Sequence, residues 1–136
     1  MLYITVALSA EARPLIDHFQ LTRTYTLPYT TFENEEVKLI VTGIGIENAM
    51  MATSALLGQF PPSKTDILVN IGICAAPQSF EIGEVFLVHK ISYKNNFLFP
   101  DILFEHVLKE SDILCVNEPA NEILKSPVLA VIVPVA

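Results

Sequence analysis

The amino-acid sequence predicts an α/β fold in which a mixed β-sheet is flanked by helices. Three observations support this prediction. Short apolar runs typical of strands alternate with runs of helical periodicity, glycines stand at the ends of three of the apolar runs, and 51% of the 136 residues are hydrophobic. The length is that of one compact domain, so we expect residues 1–136 to form a single domain.

The first elements follow from β-branched residues and a helix-start signal. Residues 2–7 predict a strand, and residues 10–19 predict a helix with Ser9 as its N-cap. Residues 25–32 form a weaker strand pattern, and residues 37–41 form a clearer one. The acidic residues between these two strands indicate a hairpin turn.

The strongest periodicity covers residues 46–60. Its apolar positions recur at spacings of three and four, which predicts a helix with Met50 and Met51 in the core. Residues 66–73 then predict a nearly continuous apolar strand that ends in a turn of small residues, 74–76. Gly83 leads into a further strand over residues 82–88.

The last third of the chain has weaker signals. Residues 101–110 predict a helix in which Glu105 pairs with Lys109. On such a helix His106 and Glu110 could bind a metal, but a solvated face is the favoured interpretation and we expect no metal. Residues 128–133 predict a buried strand.

Composition excludes several classes of partner. The net charge is −7 and no basic cluster occurs, so neither a nucleic acid nor an anionic membrane surface is expected. The apolar start runs into charged residues and predicts a strand, and no stretch has the length of a membrane span. Cys74 and Cys115 have neither metal-ligand nor redox spacing, which favours reduced, buried thiols in the cytoplasm. No cofactor is expected.

Glycines at three strand ends predict a ligand crevice at the edge of the sheet. They occur in residues 41–48, which read VTGIGIEN, in residues 66–76, which read DILVNIGICAA, and at Gly83. A helix-start acid, Glu11, follows the first strand. It can serve either as a general base or as an ordinary first-turn acid of a helix.

These stretches together resemble the nucleoside phosphorylase and nucleosidase superfamily, particularly the methylthioadenosine/S-adenosylhomocysteine nucleosidases and the futalosine hydrolases. The resemblance covers roughly the first 95 residues. Residues 7–11 look like the first strand-to-helix loop of the nucleosidases, and residues 43–45 look like their Gly-Ile-Gly turn. Residues 66–76 and 82–93 look like their Asn-x-Gly-x-Ala-Gly-Gly strand and their Gly-Asp strand ending in tyrosine.

The resemblance implies a mixed sheet flanked by helices, assembly as a homodimer or larger homo-oligomer, and cleavage of a purine nucleoside's N-glycosidic bond. It implies that Glu11 activates the attacking water. It also implies a nucleoside pocket that includes Gly45, Ile46, Ile73, Cys74 and Ala75.

Two positions favour water over phosphate as the nucleophile. Related phosphorylases hold phosphate with a Gly-Asp-Pro-x-Arg loop, whereas residues 9–13 here read Ser-Ala-Glu-Ala-Arg, and the anionic Glu11 would repel phosphate. Asn70 stands where those phosphorylases have an arginine. A nucleosidase is therefore the favoured interpretation, and a phosphate-dependent phosphorylase is an alternative.

The nucleosidases complete their site with a glutamate from a Met-Glu pair and with an acid from a later Ser-Asp pair. Neither is found in a matching position, and Ser111-Asp112 is better interpreted as a turn or a helix cap. The chain thus looks C-terminally truncated relative to the family. Two further alternatives remain open: a truncated, non-catalytic relative that binds a nucleoside or dimerises, and a receiver- or flavodoxin-like module.

Overall fold

The structure, a computed structural model, describes residues 1–25, 28–77, 79–116 and 126–132; for Tyr25 and residues 126–132 it describes only the backbone. The chain divides into two compact units, of which the first is Met1–Asn70 and the second begins at Ile71. Each unit is described by itself below, and the single domain expected from the length stays a prediction.

The first unit is a mixed sheet with two helices. Its strands are β1 (Leu2–Val6), β2 (Thr22–Tyr25), β3 (Thr30–Glu33), β4 (Val37–Val41) and the start of β5 (Ile67–Ala76); its helices are α1 (Ser9–Phe19) and α2 (Ile46–Gln59). The strand order is β2-β3-β4-β1-β5. The pairs β2–β3 and β3–β4 are antiparallel, whereas β1 is parallel to both β4 and β5. The carboxyl ends of β1 and β4 therefore lie side by side.

The core of the first unit forms between the sheet and α2. Tyr3 and Ile40 from the sheet pack with Ala52 and Leu56 from the helix. The buried stripe of α2 thus runs through Ala52 and Leu56, and Met50 and Met51 are 64% and 62% exposed. The prediction that both methionines fill the core is wrong, because the helix turns a face about one position away from them toward the sheet.

The second unit is built around strand β6 (Val85–Tyr93). Strands β8 (Lys109–Cys115) and β9 (Ser126–Ile132) pair with β6 in parallel, and β7 (Asn96–Leu98) pairs with it antiparallel. The core contains Ala76, Phe86 and Val88. Partly buried apolar residues packed against that core are Cys74, Phe80, Ile91 and Ile113.

Most strands and both described helices lie where the sequence predicts them, and the predicted α/β fold with a mixed sheet is confirmed. Four local predictions are wrong. The single strand expected over residues 25–32 is not formed, since β2 ends at Tyr25 and the antiparallel β3 begins at Thr30. Strand β5 continues to Ala76, so residues 74–76 are not a turn. Residues 101–107 are irregular and β8 follows, so no helix covers 101–110 and Lys109 pairs with Glu84. Pairing with β6 overrides the weak helical pattern there. Ser111 and Asp112 accordingly lie within β8, outside any turn or helix cap.

Candidate active site

The loops that follow β1 and β4 are joined by backbone hydrogen bonds. The Thr42 amide donates to the Val6 carbonyl at 2.8 Å, and the Gly43 amide donates to the Ala7 carbonyl at 3.0 Å. The Thr42 hydroxyl also donates to the Gly43 carbonyl at 2.8 Å. These bonds hold the start of α1 and the approach to α2 at one edge of the sheet. Ligands of open α/β sheets bind outside the carboxyl ends of the strands, so this edge is the candidate site.

Glu11 lies at this edge in the first turn of α1, and its carboxylate bonds to the backbone before the helix. Oε2 accepts hydrogen bonds from the Ala7 amide at 3.1 Å and from the Leu8 amide at 2.9 Å. The N-cap position is occupied by Leu8, so the prediction of Ser9 as the N-cap is wrong; Ser9 is the first helical residue. Because Leu8 has no side-chain acceptor, Glu11 supplies one to the helix start. The same two bonds hold the carboxylate in a fixed orientation at the sheet edge.

The loop before α2 has the backbone freedom that a close approach by a ligand requires. Gly43 and Gly45 have φ of +85° and +101°, where residues with a Cβ are strained. A Cβ built on Gly45 would meet nothing within 4 Å, so the space beside that backbone is open. Ile46 begins α2 directly after it, and Ile44 and Leu8 are exposed apolar residues on the same two loops.

Asn70 is bonded to the strand that leads to Glu11. The Thr5 hydroxyl donates to the Asn70 amide oxygen at 2.9 Å, and the two residues face each other in the β1–β5 register. Thr5 is buried, so its hydroxyl needs a partner, which Asn70 supplies. The position at which related phosphorylases have an arginine therefore carries a neutral side chain bonded to a buried hydroxyl.

The other residues expected in the pocket, Ile73, Cys74 and Ala75, lie in β5 in the second unit. Ile73 and Ala75 are exposed, whereas Cys74 is half-buried. Burial raises the pKa of the Cys74 thiol, and burial also raises that of Cys115. A raised pKa leaves little thiolate at neutral pH, but both side chains are half-buried, whereas the sequence predicts buried thiols.

The second unit also holds a cluster of ionisable side chains that the sequence did not indicate. We call His89, His106, Glu110 and Asp112 the histidine–carboxylate cluster. His89 Nε2 lies 2.8 Å from Asp112 Oδ1, and His106 Nε2 lies 3.2 Å from Glu110 Oε1. His89 lies on β6, whereas Glu110 and Asp112 lie on β8. Only the pairing of these two strands brings the three side chains together. In the sequence, the four-residue separation of His106 and Glu110 is the one signal of this cluster, and there it predicts a pair on one face of a helix.

The described residues contain neither a metal-binding group nor a membrane-spanning helix. Within the described ranges, no group of three or more histidine, cysteine, aspartate or glutamate side chains is arranged to hold a metal ion. Neither helix in that part of the chain is long and apolar enough to cross a membrane.

Comparison with known proteins gives the class to which this fold belongs. The chain superposes on a methylthioadenosine/S-adenosylhomocysteine nucleosidase from Chlamydia trachomatis with a TM-score of 0.65 and 18% identity, over 98% of this chain and 80% of that one. The S. pneumoniae nucleosidase, solved with a transition-state inhibitor, gives a TM-score of 0.58 and 22% identity, over 70% and 43% of the two chains. The fold is that of the nucleoside phosphorylases and nucleosidases.

Within this class of fold, sequence similarity points to the nucleosidases. Over 84 residues the chain is 32% identical to the 5′-methylthioadenosine/S-adenosylhomocysteine nucleosidase of Lysinibacillus sphaericus (strain C3-41), and the matched region is 60% of this chain. The resemblance to these nucleosidases is therefore confirmed. The matched region spans 35% of the length of that relative. No family model matches the chain.

Proposed function

We propose that the chain contributes to a purine nucleoside N-ribohydrolase, and that its first unit holds the group that activates water. The observation that carries the proposal is the Glu11 carboxylate, fixed by two backbone amides beside the carboxyl ends of β1 and β4. The open space at Gly45 on the neighbouring loop supports it, because a nucleoside can approach backbone there without meeting a side chain.

The proposed chemistry needs a carboxylate whose position does not change during the reaction. Glu11 accepts a proton from water while the water oxygen bonds to C1′ of the ribose. The C1′–N bond breaks at the same time, and its electron pair leaves with the base. The amides of Ala7 and Leu8 hold the carboxylate in orientation, so little reorganisation is needed when the substrate binds. The leaving base needs a proton as well, and we assign no residue to that role.

The proposed substrate-binding residues fall into two groups. Gly45 and Ile46 lie on the loop that is bonded to the Glu11 loop, so the structure of the first unit supports their assignment. From the second unit, Ile73, Cys74 and Ala75 are proposed on the resemblance alone. Methylthioadenosine and S-adenosylhomocysteine are the proposed substrates, since the relative that the chain matches in sequence is named for them.

Water is the proposed nucleophile, with phosphate as the alternative. Phosphate would have to bind near an anionic Glu11, and Asn70 contributes a neutral amide to Thr5 where a phosphorylase has a cation. Neither feature offers phosphate a charged partner. We propose that the enzyme works without a cofactor, in the cytoplasm, and has no nucleic-acid or membrane partner, as its net charge of −7 indicates.

Exposed apolar residues favour self-association, whether the chain is catalytic or not. Ile44, Met50 and Met51 are exposed on the approach to α2 and on its outer face. An apolar face on a helix end is typical of an interface. We therefore propose a homodimer or larger homo-oligomer, and we retain as an alternative a non-catalytic relative that binds a nucleoside or dimerises.

The experiment that tests the proposal measures base released from methylthioadenosine, S-adenosylhomocysteine, inosine and futalosine, with and without phosphate. We expect release without phosphate. The substitution Glu11→Gln should lower kcat/KM by a factor of about 10² to 10⁴, the usual contribution of a general base. Glu35→Gln in the exposed β3–β4 turn is the matched control and should leave the rate unchanged.

Two other outcomes would overturn parts of the proposal. Release that requires phosphate would assign a phosphorylase. A lack of release from any of the four nucleosides, with thermal stabilisation by adenine or methylthioadenosine, would assign the non-catalytic, nucleoside-binding alternative.

A further inference from the structure

The histidine–carboxylate cluster has a geometry in which both nitrogens of one imidazole face carboxylates. His89 Nε2 lies 2.8 Å from Asp112 Oδ1, and His89 Nδ1, which is buried and makes no hydrogen bond to the described residues, lies 3.4 Å from Glu110 Oε2. A neutral imidazole has one N–H, so it can donate to only one of the two carboxylates and presents a lone pair to the other. An imidazolium has two N–H groups and can face both favourably. The arrangement therefore suits the protonated form of His89.

A β-bulge puts His89 in this position. Val88 pairs with Ser111 and Lys90 pairs with Asp112, so His89 is the extra residue on β6. The bulge interrupts the regular alternation of side chains at one point of the strand. It lets the imidazole of β6 lie between Glu110 and Asp112, which are two residues apart on the same face of β8.

The cluster extends to the segment before β8 through Glu110. Oε1 of Glu110 lies 3.2 Å from His106 Nε2, so one carboxylate connects the two histidines. The His106 ring also contacts the Phe104 ring at a centroid distance of 5.8 Å. Within the described residues, the only other charged side chain in contact with the cluster is Lys90, whose Nζ lies 3.6 Å from Asp112 Oδ2. With both imidazoles neutral, two carboxylates face one cation; with both protonated, they face three.

We propose that this cluster is a proton-dependent clasp that fastens β8 and the segment containing His106 to β6. Protonation of the histidines supplies the two N–H groups at His89 and turns the His106 contact into an ion pair. The unfolded chain lacks this arrangement, so a preference of the folded cluster for the imidazolium makes the chain more stable on acidification. Imidazole is the side chain whose charge changes between about pH 5 and pH 8, so we expect the clasp to hold more firmly at pH 5 than at pH 8.

Thermal unfolding of the full chain from pH 5 to pH 8, with a chelator present, tests the clasp. The wild type should gain stability on acidification relative to His89→Asn, by about 2 to 5 °C in Tm, because the side chains involved are partly exposed and each pair contributes little. His106→Asn should remove part of the gain. His18→Gln is the matched control. His18 is the third histidine of the chain and contacts the Phe19 ring edge-on in α1. The pH profile of this variant should follow that of the wild type.

A second pair of variants keeps the test independent of the bulge residue. Asp112→Asn and Glu110→Gln leave His89 in place and should each flatten the pH profile. Amide hydrogen exchange of Ile113 and Leu114, corrected for the intrinsic pH dependence, should slow at low pH in the wild type alone. A pH profile shared by the wild type and all four cluster variants would overturn the proposal. Stabilisation at pH 8 by zinc, lost in the same variants, would also overturn it and would assign a metal site instead.

Discussion

Two carboxylates, Glu11 in the first unit and Asp112 in the second, are held in different ways. In the first unit, Glu11 is bonded to amides of Ala7 and Leu8, which lie within four residues of it in the chain. In the second unit, Asp112 is held by His89 and Lys90 from a different strand. Backbone amides do not titrate, whereas imidazoles change charge near neutral pH. The first arrangement thus provides a carboxylate environment that is constant across physiological pH, which suits a catalytic base, and the second provides one that responds to protons.

The units also differ in how many of their large apolar side chains are exposed to solvent. In the first unit, α2 buries Ala52 and Leu56 against the sheet. The described part of the second unit exposes more large apolar side chains, among them Leu103, Val107 and Leu114, although the first unit also exposes Ile44, Met50 and Met51. A buried side chain contributes stability in proportion to the area removed from water, so the same deletion should have unequal effects in the two units.

The largest effect on stability that we expect comes from a matched pair of leucine substitutions. Leu56→Ala removes a side chain that is 1% exposed and should lower the free energy of unfolding by about 2 to 5 kcal/mol. Leu114→Ala removes one that is 65% exposed and should change it by less than about 0.5 kcal/mol. Urea denaturation measures both. Equal losses would mean that Leu114 is covered in solution, and the contrast between the units would then be wrong.

A smaller effect should separate the two roles of Glu11. Glu11→Ala removes the acceptor for the Ala7 and Leu8 amides and should lower the free energy of unfolding by about 1 kcal/mol, the usual loss when a helix cap is removed. Glu11→Gln keeps an oxygen acceptor and should lose less. Urea denaturation of both variants, beside the activity assay, gives the comparison.

The pair of Glu11 variants also distinguishes a catalytic residue from a capping residue. If Glu11 is the general base, Glu11→Ala and Glu11→Gln should both be inactive, although their stabilities differ. If instead activity followed stability across the two variants, Glu11 would act only by supporting the start of α1.

The smallest effect concerns Glu84 and Lys109, an ion pair in the second unit. The hydrogen bond from Lys109 lowers the pKa of Glu84 below its ordinary 4.5, and the same bond raises the pKa of Lys109 above 10.5. The stability from Glu84 is therefore present above pH 4.5 and is lost as pH falls through its folded value. The stability from Lys109 is present below pH 10.5 and is lost as pH rises through its folded value.

Because Lys109 is exposed to solvent, the change in Tm should be slight and should become smaller in high salt, although Glu84 is partly covered. Tm measured from pH 2 to pH 6 should show a shallower acid loss in Lys109→Met than in the wild type. Lys64→Met, a lysine in the first unit, is the control. An unchanged acid limb in Lys109→Met would show that the pair contributes nothing.

The sequence predicts features that depend on neighbouring residues and misses those that depend on register. Glycines at 43 and 45 and a first-turn acid at 11 can be recognised locally, and the structure has each of them at the sheet edge. The strand β8 could not be recognised, because its few apolar residues fit a helix as well and only pairing with β6 decides the outcome. His89 could not be connected with Asp112 for the same reason.

The methionines of α2 show a further limit of local patterns. Met50 and Ala49 both suit an apolar helical face, and the period alone does not say which of two overlapping stripes meets the sheet. In the structure the stripe with Ala52 and Leu56 packs against the sheet, and Met50 and Met51 lie outside it.

The bulge at His89 also affects how this strand can change length. On either side of it, β6 and β8 are in regular register, but the two stretches are out of phase by one residue. Deleting His89 alone would make Val88 and Lys90 consecutive opposite Ser111 and Asp112, so both stretches of β6 would keep their partners and their faces. The loss of this one residue therefore needs no compensating change in β8, and homologues that lack the bulge should be one residue shorter in β6 alone.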